Sequence, residues 1–259
     1  MEIIAEIGQN HNGDMALAAR MIRSAKENGA DVAKFQLYEA KKLFPKVNNP
    51  WFEYNCKTEL SRDQVRFLAK ECKDAGIEFM ASVFDVDRVG WLEEAGVKRY
   101  KLASRSIYDK ELIARLCRTK KPLLISLGMY KGKRLPVIPS KGKVQFLYCV
   151  SKYPARLSDM HLEKVDFTRY AGLSDHTIGI SAAQAAFSRG AGIVEKHFTL
   201  DKDMYGPDHK GSMTPDELKM LHNYRKDLKR LLSRRPAPRT SGRGWTGRDV
   251  ASKERNPGL

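Results

Sequence analysis

The alternation of strand-like and helix-like segments is the feature that most constrains how this chain can fold. Eight short apolar segments are strand-like, and most are separated by segments with apolar residues at helical spacing. The strand-like segments cover residues 2–7, 31–36, 77–82, 98–104, 121–127, 143–150, 170–174 and 192–198. Strands that alternate with helices indicate βαβ units and a parallel sheet. Eight such units predict an α/β fold, a (β/α)₈ TIM barrel.

Helical spacing covers residues 15–30, 61–76, 86–95, 108–118, 158–167, 181–190 and 214–232. The fifth crossover, "YKGKRLPVIPSKG" (130–142), has too much Gly, Pro and Lys for a helix, so we expect it to be shortened. The end of the chain, "SRRPAPRTSGRGWTGRDVASKERNPGL", has no apolar periodicity. We therefore predict a barrel domain over 1–233 and an irregular, basic, disordered tail over 234–259.

Composition limits the classes of protein to consider. The chain has 259 residues and is 42% hydrophobic, enough for one large core. It has no transmembrane-length apolar run and no signal peptide pattern, and its four cysteines are scattered without metal or redox spacing. We expect reduced cysteines, no membrane partner and a cytoplasmic location.

The net charge of +16 is concentrated in two regions. Residues 230–259 hold eight Lys/Arg and two Asp/Glu, and residues 112–143 hold nine Lys/Arg and no acid. A basic balance suits nucleic acid, but it equally suits phosphorylated or carboxylated metabolites. Because no nucleic-acid-binding motif is present, nucleic acid is not the expected primary partner.

Polar residues stand at the carboxyl end of nearly every predicted strand, where a TIM barrel has its active site. They are Glu6, Lys34, Gln36, Ser82, Lys101, Ser104, Ser126, Ser151, Tyr153, Ser174, His176, Glu195 and His197. Alternation along a strand puts Lys34 with Gln36 on one face, and Glu195 with His197 on one face. A carboxylate, two inward lysines, several hydroxyls and two imidazoles suit an anionic substrate and a divalent metal.

Each of these residues also has a simpler interpretation. Lys34 and Lys101 fit solvated charges at the barrel rim. His176 fits a loop or capping histidine, and His197 fits a hydrogen-bonded core histidine. His11 in "NHNG" fits a tight turn, and two further histidines, at 161 and 222, fall within predicted helices and are interpreted as structural.

Seven stretches together resemble the N-acetylneuraminate (sialic acid) synthase family. In chain order they are "AEIGQNHNGD", "GADVAKFQ", "YKLAS", "LLISLGM", "LSDHTIGI", "VEKHFTLDKDMYGPDH" and "MTPDEL". Any one of them is weak, but seven in the same order are specific. The resemblance implies condensation of phosphoenolpyruvate with an N-acetylmannosamine-type sugar, assisted by a divalent metal, most often Mn²⁺ or Mg²⁺.

The resemblance also implies roles for individual residues. His176 and His197 match the two metal ligands, and Glu6 matches an acid/base carboxylate. Gln36 and Asp208 match positions near the sugar or the metal. The positions around the phosphate and carboxylate of phosphoenolpyruvate are matched by Lys34, Ser82, Lys101, Ser104, Ser126, Tyr153 and Ser174, and Ser151 stands where some members have Asn.

The family normally has a C-terminal antifreeze-like domain that caps the sugar site of a dimer partner. The tail does not resemble it, so we expect a homodimer that uses a separate capping domain or protein. Alternatives to the main interpretation are a sister synthase for another sugar acceptor, a non-catalytic barrel that serves as a carbohydrate-binding or assembly subunit, and a basic protein whose tail binds nucleic acid.

Overall fold

Eight parallel strands form a closed barrel in the computed structural model, which describes residues 1–233. Each strand pairs with the next along the chain, and the last pairs with the first. The strands are β1 Glu2–Gly8, β2 Val32–Leu37, β3 Glu78–Val83, β4 Tyr100–Leu102, β5 Leu123–Ser126, β6 Val144–Cys149, β7 Gly172–Asp175 and β8 Ile193–His197. The predicted (β/α)₈ fold is confirmed.

Helices lie between most of the strands and after the last. They are α1 Met15–Glu27, α2 Ala40–Leu43, α3 Phe52–Lys57, α4 Arg62–Ala75, α5 Asp87–Glu94, α6 Lys110–Arg118, α7 Ser181–Ser188 and α8 Pro215–Leu232. The sequence analysis did not predict α2 and α3, which lie in the loop after β2. The fifth crossover has no helix, as predicted. None of the helices within 1–233 has the length and apolar content that a bilayer crossing requires.

The predicted helix over 158–167 is wrong. The segment forms two short 3₁₀ turns, Leu157–Asp159 and Leu162–Lys164, and His161 lies between them with φ +42°. A left-handed residue breaks an α-helix. The side chain of Asp159 also accepts a hydrogen bond from the backbone N–H of Arg156, in competition with helical bonding.

Side chains inside the barrel form an apolar layer beneath a polar one. Six buried residues from six different strands contact one another at the amino-terminal side: Ile4, Val32, Met80, Leu124, Leu147 and Ile193. Two residues further along their strands, on the same face, stand Glu6, Lys34, Ser82, Ser126, Cys149 and Glu195. Consecutive inward-facing residues on these strands therefore belong first to the packed apolar layer and then to the polar layer above it.

His11 lies in the turn between β1 and α1, and it is fully buried. Its Nδ1 accepts a hydrogen bond from the backbone N–H of Gly13 at 3.1 Å, and its ring lies 6.2 Å from the ring of Phe35. The prediction that His11 shapes this turn is confirmed. Burial lowers the pKa of His11 to about 4.

The replacement His11→Asn should make the protein less sensitive to acid. The unfolded state takes up a proton on His11 near pH 6.5, whereas the folded state does so only near its pKa of about 4. His11 therefore contributes a loss of stability as pH falls through this window, about 2 kcal/mol between pH 7 and pH 4.5. Asn can still accept the bond from Gly13. Urea unfolding at both pH values tests this, and an unchanged pH dependence in the variant would contradict it.

Candidate active site

The carboxyl ends of the strands surround a pocket of about 400 Å³. All thirteen residues predicted from the sequence as site residues line it. They come from all eight strands or the loops that follow them, and Asp208 lies in the loop between β8 and α8. Because strand ends are fixed by hydrogen bonds to two neighbours, the pocket floor is held by the sheet rather than by loops.

A network of four buried charges forms this floor. Lys34 Nζ lies 2.8 Å from Glu6 Oε2 and 3.6 Å from Glu195 Oε2. Lys101 Nζ lies 3.6 Å from Glu195 Oε1. All four side chains are almost fully buried. The simpler interpretation of the two lysines as solvated rim charges is therefore wrong.

The two lysines differ in their electrostatic environment. Burial alone would lower the pKa of Lys34, but Glu195 and Glu6 raise it above its ordinary value. Burial lowers the pKa of Lys101, and Glu195 only partly offsets this, while Lys34 adds to it. Burial also acts to raise the pKa of Glu195, but the two lysines hold it below its ordinary value. Lys101 therefore gains most from an added negative charge in the pocket.

Hydroxyl and amide groups surround these charges. Ser82 accepts a hydrogen bond from Lys34 at 2.9 Å, Ser174 donates to Glu195 at 3.1 Å, and the Gln36 amide donates to Glu6 at 2.9 Å. Ser126 Oγ is buried with no hydrogen-bond partner among the described residues. A buried hydroxyl without a partner is rare in folded proteins and indicates a group that a ligand completes.

Ser104 and Ser151 form the wall of the pocket beside the floor. Ser104 lies in a 3₁₀ turn just after β4, and its Oγ accepts a bond from the backbone N–H of Met129. Ser151 donates to Ser104 at 3.4 Å. Tyr153, further toward the mouth, is exposed, and its ring lies 4.2 Å from the ring of His176. The wall therefore offers two further hydroxyls to the pocket that Lys101 lines.

The two histidines stand side by side at the ends of β7 and β8, with ring centroids 5.9 Å apart. His176 Nδ1 lies 3.0 Å from the carbonyl oxygen of Val150, so the hydrogen bond places its proton on Nδ1 and leaves the lone pair of Nε2 free. Burial, together with His197, lowers the pKa of His176 to about 4. His176 is therefore neutral at pH 7, the form that ligates metals.

His197 carries a polar atom that lacks a partner. Its Nδ1 is buried, makes no hydrogen bond to the described residues, and lies 3.9 Å from Asp208 Oδ2. Within residues 1–233, no group of three or more His, Cys, Asp or Glu side chains is spaced to hold a metal ion by itself. Two imidazoles and a nearby carboxylate fit an open site, in which water and substrate would complete the coordination of a divalent ion.

A buried ion pair beneath the histidines fixes the strand ends that carry them. Lys196 Nζ lies 3.0 Å from Asp175 Oδ2 and donates to the carbonyl oxygen of Thr177 at 2.5 Å. Asp175 Oδ1 in turn accepts from the backbone N–H of Thr177 at 2.8 Å. Both charged side chains are fully buried. Asp175 precedes His176 and Lys196 precedes His197, so the pair positions both imidazoles.

The sequence analysis missed several pocket residues. It counted one carboxylate, whereas the floor has two: Glu195 was placed at a strand end on the face of His197 but was given no role in the site. Cys149 lies at the end of β6, and burial raises the pKa of its thiol. Leu43, Phe44 and Phe84 form an apolar side of the pocket, and Arg105 stands at its mouth. Loop residues such as these carry no periodic signal in the sequence.

Comparison with known proteins identifies the family. The model of the NeuB family matches residues 21–235. The chain belongs to the NeuB family. It is 36% identical over 258 residues to the N,N'-diacetyllegionaminic acid synthase of Legionella pneumophila, covering 89% of this chain and 72% of that protein. It is 35% identical over 242 residues to the N-acetylneuraminate-9-phosphate synthase of Homo sapiens, covering 85% of this chain and 67% of that protein.

A solved NeuB-like structure agrees with the fold. The crystal structure of N-acetylneuraminic acid (sialic acid) synthetase from Leptospira borgpetersenii, in complex with citrate, superposes with a TM-score of 0.84. The two chains are 30% identical, and the match covers 92% of this chain and 87% of that one. The resemblance to the sialic acid synthase family is therefore confirmed.

Removing one partner of the pair between Asp175 and Lys196 should destabilise the barrel strongly. Asp175→Asn or Lys196→Met leaves a buried charge unpaired, which costs about 3–5 kcal/mol of the free energy of unfolding. The double variant should lose much less than the sum of the two single losses, because neither charge is then left alone. Urea unfolding of the three variants measures this. Additive losses would show that the two residues act independently.

Proposed function

We propose that this NeuB family member condenses phosphoenolpyruvate with an N-acetylmannosamine-type aldose to form a nonulosonic acid and phosphate. The observation that supports the proposal most is the buried cluster of two lysines, two glutamates and several hydroxyls beside two histidines. Phosphoenolpyruvate is trianionic and needs such cations. The aldehyde of the acceptor needs a proton carrier and a metal ion, which the glutamates and the histidines would provide. The reaction is a transfer that forms a carbon–carbon bond.

Lys34 and Lys101 are the proposed anion receptors for phosphoenolpyruvate. Their charges are balanced by Glu6 and Glu195 at 2.8–3.6 Å in the protein alone. The phosphate and carboxylate oxygens of the substrate would accept hydrogen bonds from the N–H groups of both lysines and from nearby hydroxyls. Serines 82, 104, 126 and 174, with Ser151 and Tyr153 at the wall, would supply these neutral donors.

Glu6 is the proposed proton carrier. One of its oxygens faces Lys34 and the other accepts from Gln36, so its orientation is fixed from two sides. In the reaction, C3 of phosphoenolpyruvate forms a bond to the aldehyde carbon, whose oxygen takes up a proton. Water adds to C2, and phosphate leaves by cleavage of its C–O bond to C2, which leaves a ketone. Glu6 would move a proton in these steps.

His176, His197 and Asp208 would hold a divalent ion, Mn²⁺ or Mg²⁺ by resemblance to the family. Bound there, the ion supplies Lewis acid polarisation of the aldehyde oxygen. The chain itself orients both imidazoles through Val150 and through the pair of Asp175 with Lys196. Gln36 and Asp208 lie toward the mouth, where hydroxyls of the sugar would meet them.

The identity of the acceptor sugar needs its own test, because relatives at 35–36% identity are named for different acids. A sister synthase for a legionaminic or pseudaminic precursor uses the same floor. A panel assay of phosphate release from phosphoenolpyruvate with candidate aldoses tests the proposal, and no release with any of them would contradict it. The homodimer, the separate capping domain or protein, the cytoplasmic location and the division into a barrel domain and a tail stay predictions. The tail over 234–259 lies outside the described residues.

Lys34→Met and Lys101→Met should each weaken phosphoenolpyruvate much more than the sugar. A lost charge-assisted hydrogen bond costs roughly 1.5–3 kcal/mol, or about ten- to more than a hundredfold in affinity. Calorimetric titration with phosphoenolpyruvate measures the loss, and Lys219→Met, an exposed site on α8, is the matched control. If both pocket variants bind phosphoenolpyruvate like the parent, the anion site is placed wrongly.

His176→Ala and His197→Ala should each remove Mn²⁺ binding. Few protein ligands hold the ion, so loss of one should abolish a modest, chelator-sensitive affinity. Paramagnetic resonance of free Mn²⁺ measures binding without reference to turnover. His161→Ala is the control, because His161 is exposed and outside the pocket. Parental Mn²⁺ affinity in both pocket variants would refute the assignment.

A further inference from the structure

The mouth of the pocket carries a guanidinium to which the proposed reaction assigns no role. Arg105 follows Ser104 in the turn after β4 and lines the same pocket as Lys101. Its guanidinium carbon lies 5.3 Å from the centroid of the Phe44 ring. It donates one hydrogen bond, at 3.3 Å, to the carbonyl oxygen of Leu43. Two contacts from the loop after β2 therefore hold the side chain over the mouth.

No carboxylate within residues 1–233 neutralises Arg105. Arg88, by comparison, lies within 4 Å of three carboxylates. The guanidinium has five N–H donors, and the carbonyl of Leu43 takes one. The remaining donors have no acceptor in the described part of the chain. A planar fork, stacked on an aromatic ring and lacking a counter-charge, is well suited to bind an oxyanion.

The barrel order places Arg105 across the mouth from the histidines. Arg105 follows β4, and His197 ends β8, which is half a turn away in a closed barrel of eight strands. In the proposed reaction the aldehyde lies beside the histidines and phosphoenolpyruvate lies on the lysines of the floor. The carbon chain of the acceptor then extends over the floor, and its far end approaches Arg105 and the apolar side formed by Phe44 and Phe84.

We propose that Arg105 binds an oxyanion, a phosphate or carboxylate, on the end of the acceptor opposite its aldehyde. The inference rests on the proposed function and specifies its acceptor as an anionic amino sugar. Asp208, on the loop after β8, has its Oδ2 3.9 Å from His197 Nδ1, so this carboxylate stands on the side of the mouth opposite Arg105. The charges on the two sides of the mouth therefore differ. An acceptor with one anionic end fits in one orientation, with its anion at Arg105 and its aldehyde beside the histidines.

The test compares three acceptors: N-acetylmannosamine, its 6-phosphate and its 6-carboxylate. The parent protein should use at least one anionic acceptor with a kcat/KM about tenfold or more above the neutral sugar. Arg105→Gln should abolish this preference and leave the KM for phosphoenolpyruvate unchanged. Arg105→Lys should retain part of it. Arg118→Gln, an exposed arginine on α6 outside the pocket, removes the same charge and should change nothing.

Three outcomes would overturn the inference. They are equal use of neutral and anionic acceptors by the parent, an equal effect of Arg105→Gln on all three, and a raised KM for phosphoenolpyruvate in that variant. The last would assign Arg105 to the phosphate of phosphoenolpyruvate. Turnover of the neutral sugar tests the synthase activity separately. If no acceptor is turned over, calorimetric titration of parent and Arg105→Gln with the sugar 6-phosphate still decides whether Arg105 binds it.

Discussion

Two lysines buried inside the barrel and facing two glutamates are the constraint on which the rest of the site depends. An unpaired charge at this depth would cost several kcal/mol, so Lys34 and Lys101 require Glu6 and Glu195 within ion-pair range. Six apolar side chains beneath the network exclude water from that side, so the four charges must stabilise one another. The charges are not evenly balanced, since Lys101 has a lowered pKa and forms an ion pair with one carboxylate, Glu195, within residues 1–233. A negative substrate completes the charge pattern that the protein leaves short.

Successive residues of one strand face alternately toward the pocket and toward the supporting layer outside the barrel. On β8, Glu195 faces the pocket, Lys196 faces outward to Asp175, and His197 faces the pocket again. The outward pair lies in the layer between barrel and helices, away from substrate. Its contacts with Thr177 fix the backbone that follows β7. The alternation of a strand thus lets reactive and supporting side chains be adjacent in sequence without competing for the same space.

The strands and most pocket residues were predictable because both follow from periodicity and from the rule that barrel chemistry lies at strand ends. Lys34 and His197 are examples, since Lys34 lies within a clear apolar run and His197 ends one. The features that the sequence did not predict depend on local competition for hydrogen bonds or on contacts between distant residues. His161 sits in a segment where helical spacing exists but side-chain hydrogen bonds and a left-handed residue prevent a helix. Arg105 enters the pocket only because Phe44 and Leu43, sixty residues earlier, are brought beside it.

The residues proposed for the chemistry and the residues proposed to contact the acceptor lie on different parts of the fold. The charges proposed to bind phosphoenolpyruvate and half of the proposed hydroxyls, those of Ser82, Ser126 and Ser174, stand on strands, whose geometry changes little when loops change. The groups proposed to contact the acceptor stand on loops: Arg105 after β4, Phe44 after β2 and Asp208 after β8. Relatives of similar identity carry names of different acids, as expected if the floor is shared and the loops differ. A single loop substitution at the mouth can therefore change the acceptor without disturbing the ion pairs beneath it.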